Sequence, residues 1–160
     1  MKKLLLLRHA RALPSGGVVS DFERGLHRMG ITNAMSIGDI ILEKKIKPEI
    51  IFSSSAKRAK MTSEIVSERC GAGQKIIFLD RLYHAAVGDY LEIISGVNDL
   101  VASVLIVGHN PVVMEFISEY TGYDVEMFPC NLVLVKMKME KWNGIPSRSD
   151  IIAIDKYTSG

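Results

Sequence analysis

The chain has only two cysteines, Cys70 and Cys130, in 160 residues. That is too few for a disulfide framework or a thiolate metal centre. Both are read as small buried hydrophobes in a reducing compartment. A long apolar run is also missing. Lys2-Lys3 and the leucines at 4–7 look like the start of a signal peptide, but Arg8 ends the run after four leucines. An h-region needs about 7–15 apolar residues, and a membrane span needs about 18. The expectation is a cytoplasmic protein with no membrane partner. Charge of one sign is scarce too. A formal net charge of +2 gives no broad basic surface for nucleic acid. There is no internal repeat, low-complexity tract or long charge block. What remains is one domain over residues 1–160, large enough for a real core.

Apolar runs and breaker residues order the chain. Residues 3–7 read as a buried strand and 10–29 as a long loop rich in glycine, serine and charge. Residues 31–45 read as a helix, with Pro48 beyond its end. Residues 49–52 form a second strand. Ser53, Ser54 and Ser55 then offer N-caps for a helix over 56–69, stopped by Gly71 and Gly73. A strand over 75–79, a short helix over 89–98 and a strand over 102–107 follow. Asn110 reads as an N-cap with Pro111 at the first helical position, and Val113, Phe116, Ile117 and Tyr120 keep helical spacing. Residues 131–139 and 150–154 read as two strands around Asn143-Gly144, with Met137 and Met139 as strand core. The alternation predicts a three-layer α/β/α fold. Its central sheet is mainly parallel and flanked by helices, with an antiparallel edge hairpin near the C-terminus.

In such sheets, ligands bind at the carboxyl ends of strands. Arg8-His9 follows the first strand, the segment 53–58 the second, and Gly108-His109-Asn110 the fourth. One rim would then hold Arg8, His9, Arg58 and His109. Guanidinium groups match phosphoryl oxygens, and helix N-termini add backbone donors. A histidine among them can attack phosphorus and carry it, while a second stabilises developing charge. No carboxylate cluster has ligand spacing, so neither a metal nor another cofactor is expected.

RHA at 8–10, SSSAKRAKMT at 53–62 and GHNP at 108–111 resemble the histidine phosphatase superfamily, whose phosphoglycerate-mutase-like members carry Arg-His-Gly after the first strand. The short chain and DFERGLHRMG at 21–30 resemble its SixA-type phosphohistidine phosphatases. The resemblance implies that His9 is the phosphorylated nucleophile and that Arg8, Arg58 and His109 bind the phosphoryl group. Asp21 and Arg24 match a loop motif of that branch and would support the pocket mouth. Thr62 would orient or pack. Ala10 replaces the usual glycine, so the turn after His9 cannot need a positive φ there. The glutamate general acid of the esterases and mutases has no counterpart in DRLYHAAVGD at 80–89. Imidazole leaves more easily than an alkoxide, so this absence favours a phosphohistidine-bearing protein over a small phosphate ester. A phosphomonoesterase acting on a small phosphorylated molecule, and a phosphate-binding module without turnover, are the alternatives.

Blander readings stand beside these. Alone, His9 is equally a structural histidine; the company of Arg8, Arg58 and His109 at matching strand ends decides for function. Lys57, Arg58 and Lys60 alone would be a solvated face. Asp21 and Arg24 divide evenly between a loop-stabilising pair and a substrate contact. His84 is a surface histidine before it is a substrate-binding one, and His27 is a surface residue.

Overall fold

The computed structural model describes residues 1–160 apart from Ala72, Gln74, Ile145 and Pro146. Strand β1 spans Lys2–Arg8, and its four leucines alternate between the two faces of the sheet. Leu4 and Leu6 join one buried cluster, Leu5 and Leu7 the other. A strand buried on both faces needs no polar alternation, which is why the run is continuous.

Helix α1 (Arg28–Glu43) and, after β2 (Ile50–Ser54), helix α2 (Lys57–Arg69) cover the Leu5/Leu7 face. Strand β3 (Lys75–Leu79) is followed by α3 (Val87–Ser95), β4 (Ser103–Gly108) and α4 (Val112–Thr121). Tyr90 and Phe116 of α3 and α4 bury the Leu4/Leu6 face. Strands β5 (Leu132–Met137) and β6 (Ile151–Tyr157) close the sheet, in the order β3-β2-β4-β1-β5-β6. Strands β1 to β4 run parallel, while β5 is antiparallel to β1 and β6 to β5. The three-layer architecture with an antiparallel edge pair is the one the alternation predicts. Met137 is buried in β5 and Met139 packs against the same core just beyond it. Among the described residues, no helix is long and apolar enough to cross a membrane.

Several boundaries differ from the sequence reading, for local reasons. Helix α1 begins at Arg28, not residue 31, because the His27 ring accepts the Met29 N–H at 3.1 Å; His27 caps rather than decorates the surface. Gly30 in its first turn lies against the loop after β1, and a Cβ there would fall on the Arg11 carbonyl. None of the three serines caps α2. Ala56 occupies the cap position, Ser54 still belongs to β2, and the Ala56 N–H donates to Ser54 Oγ at 3.2 Å. Helix α3 starts at Val87 instead of 89, steadied by Asp89 accepting the Ala86 N–H at 2.7 Å. Asn110 does not cap α4. Its amide donates to the Met127 carbonyl at 2.9 Å, and Pro111 takes the cap position ahead of Val112. The loop 10–29 holds a single 3₁₀ turn, Asp21–Glu23, and a bridge between Ala12 and Leu26.

Candidate active site

Strands β1 and β4 are direct neighbours in register, with Arg8 beside Gly108. The His9 N–H donates to the Gly108 carbonyl at 3.0 Å, which brings the next residue of each strand together. The ring centroids of His9 and His109 lie 4.9 Å apart. Strand β2 lies on the other side of β4 and ends at the same level. The carboxyl ends of three parallel strands thus converge where sheets of this kind bind ligands. The cleft there measures about 430 Å³ and is lined by Arg8, His9, Arg11, Asp21, Arg24, Arg58, Tyr83, His84, His109 and Asn110, among others. A larger cleft of about 730 Å³ beside α4 carries acidic and apolar side chains and no histidine.

The His9 ring is set by its far nitrogen. Nδ1 lies 2.7 Å from the Ala10 carbonyl, which can only accept, so Nδ1 carries the proton. Nε2 is left unprotonated, and its lone pair accepts the Arg58 Nε–H at 3.4 Å. Burial first, then the Arg58 and Arg8 guanidiniums, lower the His9 pKa to about 4. His109 is lowered to about 3, by burial first and then by His9 and Arg58. Both rings are therefore neutral near pH 7. The turn that presents His9 is locked to α2. The Ala10 N–H donates to Thr62 Oγ1 at 3.0 Å, and Thr62 donates to the Arg58 carbonyl at 2.7 Å. Thr62 orients, and Ala10 is not among the positive-φ residues, as its side chain requires.

A sharp consequence is a titration. In an unfolded chain both rings take protons at about pH 6.5. The folded protein resists them until far lower pH, so the unfolded state binds more protons in between. Stability should fall as the pH drops from about 6.5 towards 4. The ring-carbon signals of His9 and His109 should stay at neutral-imidazole positions above pH 5; either ring titrating near 6.5 would contradict the geometry.

Arg58 is buried, and Asp21 holds both of its terminal nitrogens. Nη1 donates to the Asp21 carbonyl at 2.8 Å and Nη2 to the carboxylate at 3.1 Å. The same carboxylate accepts from Arg24 Nε at 3.0 Å and Nη2 at 2.6 Å, and from the Tyr83 hydroxyl at 2.5 Å. These partners, Tyr83 first and then Arg24, hold the Asp21 carboxyl well below the usual carboxylate range. Asp21 and Arg24 form the loop-stabilising pair of the two readings and both line the cleft, and Asp21 also holds Arg58, a contact neither reading contained. Arg8 donates through Nη1 to the Met127 carbonyl at 2.9 Å, while its buried Nε has no partner. Cys130, with left-handed backbone at φ 63, donates its N–H to the Arg8 and His9 carbonyls. Its buried thiol is pushed up to about 12, and burial likewise raises Cys70.

His84 is exposed yet lines the cleft, its ring 4.2 Å from Tyr83. Tyr83 is the residue the sequence reading passed over. It stands over Arg58, meets His109 edge-on at 5.7 Å and bonds Asp21. Its signal was its place in the loop after β3, which lies beside β2 in the sheet. Among the described residues, no group of three or more His, Cys, Asp or Glu is arranged to hold a metal ion.

This chain is similar to an Agrobacterium tumefaciens structure assigned as a phosphohistidine phosphatase SixA. It shares 30% identity with this chain, covering 84% of this chain and 90% of that one, with a TM-score of 0.78. The chain belongs to the histidine phosphatase superfamily. A protein histidine phosphatase SixA complexed with tungstate shares the histidine phosphatase fold at TM-score 0.81 and 20% identity, over 98% of this chain and 97% of its own. An uncharacterized protein of Mycobacterium tuberculosis is 33% identical over 106 residues, 66% of this chain; the match spans 63% of that relative's length. No family model matches the chain.

One glycine beside this cleft is required for space. A Cβ on Gly108 would fall on the Tyr90 hydroxyl, itself buried and unpartnered. Gly108→Ala overfills that spot, which costs about 1–3 kcal/mol. Thermal unfolding should show a clearly lower midpoint; an unchanged one would mean that Tyr90 yields freely.

Proposed function

We propose that the protein is a phosphatase that accepts a phosphoryl group on His9 and passes it to water, with the phosphohistidine of a cytoplasmic phosphotransfer protein as substrate. The observation that carries the reading is the unprotonated Nε2 of His9, fixed by the Nδ1–Ala10 bond, with its lone pair turned to the Arg58 guanidinium, whose Nε–H it accepts. In the first step, Nε2 bonds to phosphorus and the bond to the substrate nitrogen breaks. That imidazole departs neutral when its other nitrogen carries a proton. In the second step, water replaces Nε2. Arg8 and Arg58 spread the charge over the phosphoryl oxygens, the dominant need in phosphoryl transfer.

The choice of substrate rests on the acid the cleft lacks. Among the described residues, its lining carboxylate is Asp21, held ionised by Tyr83, Arg24 and Arg58. An alkoxide leaving group would find no protonated carboxyl there, whereas imidazole needs none. The test offers the enzyme a phosphohistidine-bearing phosphotransfer domain and an alkyl phosphate side by side, in excess chelator. Rapid loss of label from the domain, slow ester hydrolysis and indifference to chelator are expected. Faster turnover of the alkyl ester would favour a phosphomonoesterase with His84 or Tyr83 as acid. Activity that returns only with a divalent ion would overturn the metal-free mechanism. Binding of phosphate without any turnover would leave only a phosphate-binding module.

A further inference from the structure

Ser54 is the last residue of β2 and is fully buried. Its Oγ has two hydrogen-bond neighbours among the described residues. One is the Ala56 N–H at 3.2 Å, and the other is His109 Nε2 at 2.8 Å. A backbone N–H can only donate, so it takes one of the oxygen's lone pairs. The hydroxyl hydrogen then has a single acceptor within reach, and that acceptor is Nε2. Were Nε2 protonated instead, Ser54 would accept twice and its own hydrogen would be stranded in the core, an arrangement native interiors avoid.

We propose that Ser54 is a positioning residue: its hydroxyl donates to His109 Nε2, which fixes the proton of the neutral ring on Nδ1. Among the described residues that nitrogen has no hydrogen-bond partner, and it is not among the buried unpaired atoms, so it opens onto the cleft that His109 lines. The two histidines are thereby set to opposite tasks by what lies behind them. A carbonyl behind His9 takes the Nδ1 proton and leaves Nε2 as a lone pair. A hydroxyl behind His109 fills Nε2 and leaves Nδ1–H as a donor. One ring can attack phosphorus while the other, 4.9 Å away, hydrogen-bonds a phosphoryl oxygen. The part played in transfer rests on the phosphatase reading above; the tautomer does not.

The experiment is nitrogen NMR of the full chain carrying ¹⁵N-labelled histidine, with His109 assigned by its loss in His109→Gln. The expected spectrum shows a protonated Nδ1 and a bare Nε2 for His109. A protonated Nε2, or a doubly protonated ring at pH 7, overturns the proposal whatever the enzyme turns over. In Ser54→Ala the ring should lose this preference and populate both tautomers. With an aryl phosphate, kcat should fall about fivefold to tenfold, the effect of one hydrogen bond, with KM little changed. An unaltered His109 tautomer in Ser54→Ala would show that Ser54 does not set it.

Discussion

His9→Ala is expected to lose essentially all turnover, on the order of ten-thousandfold or more, as removal of a covalent nucleophile does elsewhere. The side chains around it cannot substitute. Cys130 follows closely in space, but its thiol is buried and pushed up to about 12, so no thiolate is available. His109 has Nε2 committed to Ser54. The fold should survive the change, because among the described residues the ring's hydrogen bonds are to its neighbour's carbonyl and to Arg58. Steady-state rates on an aryl phosphate, with the unfolding midpoint measured alongside, check this. Substantial turnover by a well-folded His9→Ala protein would mean that another group receives the phosphoryl.

Arg58→Ala comes next in size, at about 2–4 kcal/mol of transition-state stabilisation, or roughly thirtyfold to a thousandfold in rate. Arg58→Lys should recover little of it. The guanidinium reaches His9 through Nε while both terminal nitrogens hold Asp21. An ammonium is a single point and cannot span those contacts. In Arg58→Ala the Asp21 carboxylate keeps Arg24 and Tyr83, so the loop stays anchored. Lys57→Ala and Lys60→Ala are the controls. Lys57 is exposed, and Lys60 lies over the Phe78 ring at 5.0 Å, away from His9. Near-normal turnover in Arg58→Ala, with loss in either lysine variant, would place the phosphoryl group on a different side of α2.

The residues that gather at this site were largely legible in the sequence, and the contacts that the loops make across it were not. Arg8-His9 and Gly108-His109 each follow an apolar run, and parallel neighbours bring such ends together by topology alone. Ala10 was legible too, since alanine rules out a left-handed turn. The loop 10–29 showed in its Asp21 and Arg24 motif that it belongs at the pocket mouth, but not which partners it meets there. No local pattern says that Asp21 crosses to Arg58 and Tyr83, because those contacts span 37 and 62 positions. The serines were misread for a related reason. Serine before a helix signals a cap by local propensity, yet Ser54 is still strand and faces a histidine 55 positions away. His27 was missed as a cap because imidazole is outside the usual capping set, although its ring nitrogen can accept an N–H.

The most direct measurement quenches the enzyme rapidly after brief exposure to a labelled phosphoryl donor and maps the label. One phosphoryl group is expected on Nε2 of His9, stable in base and lost in acid, and absent from His9→Ala. A label that survives acid, or that persists when His9 is alanine, would contradict it.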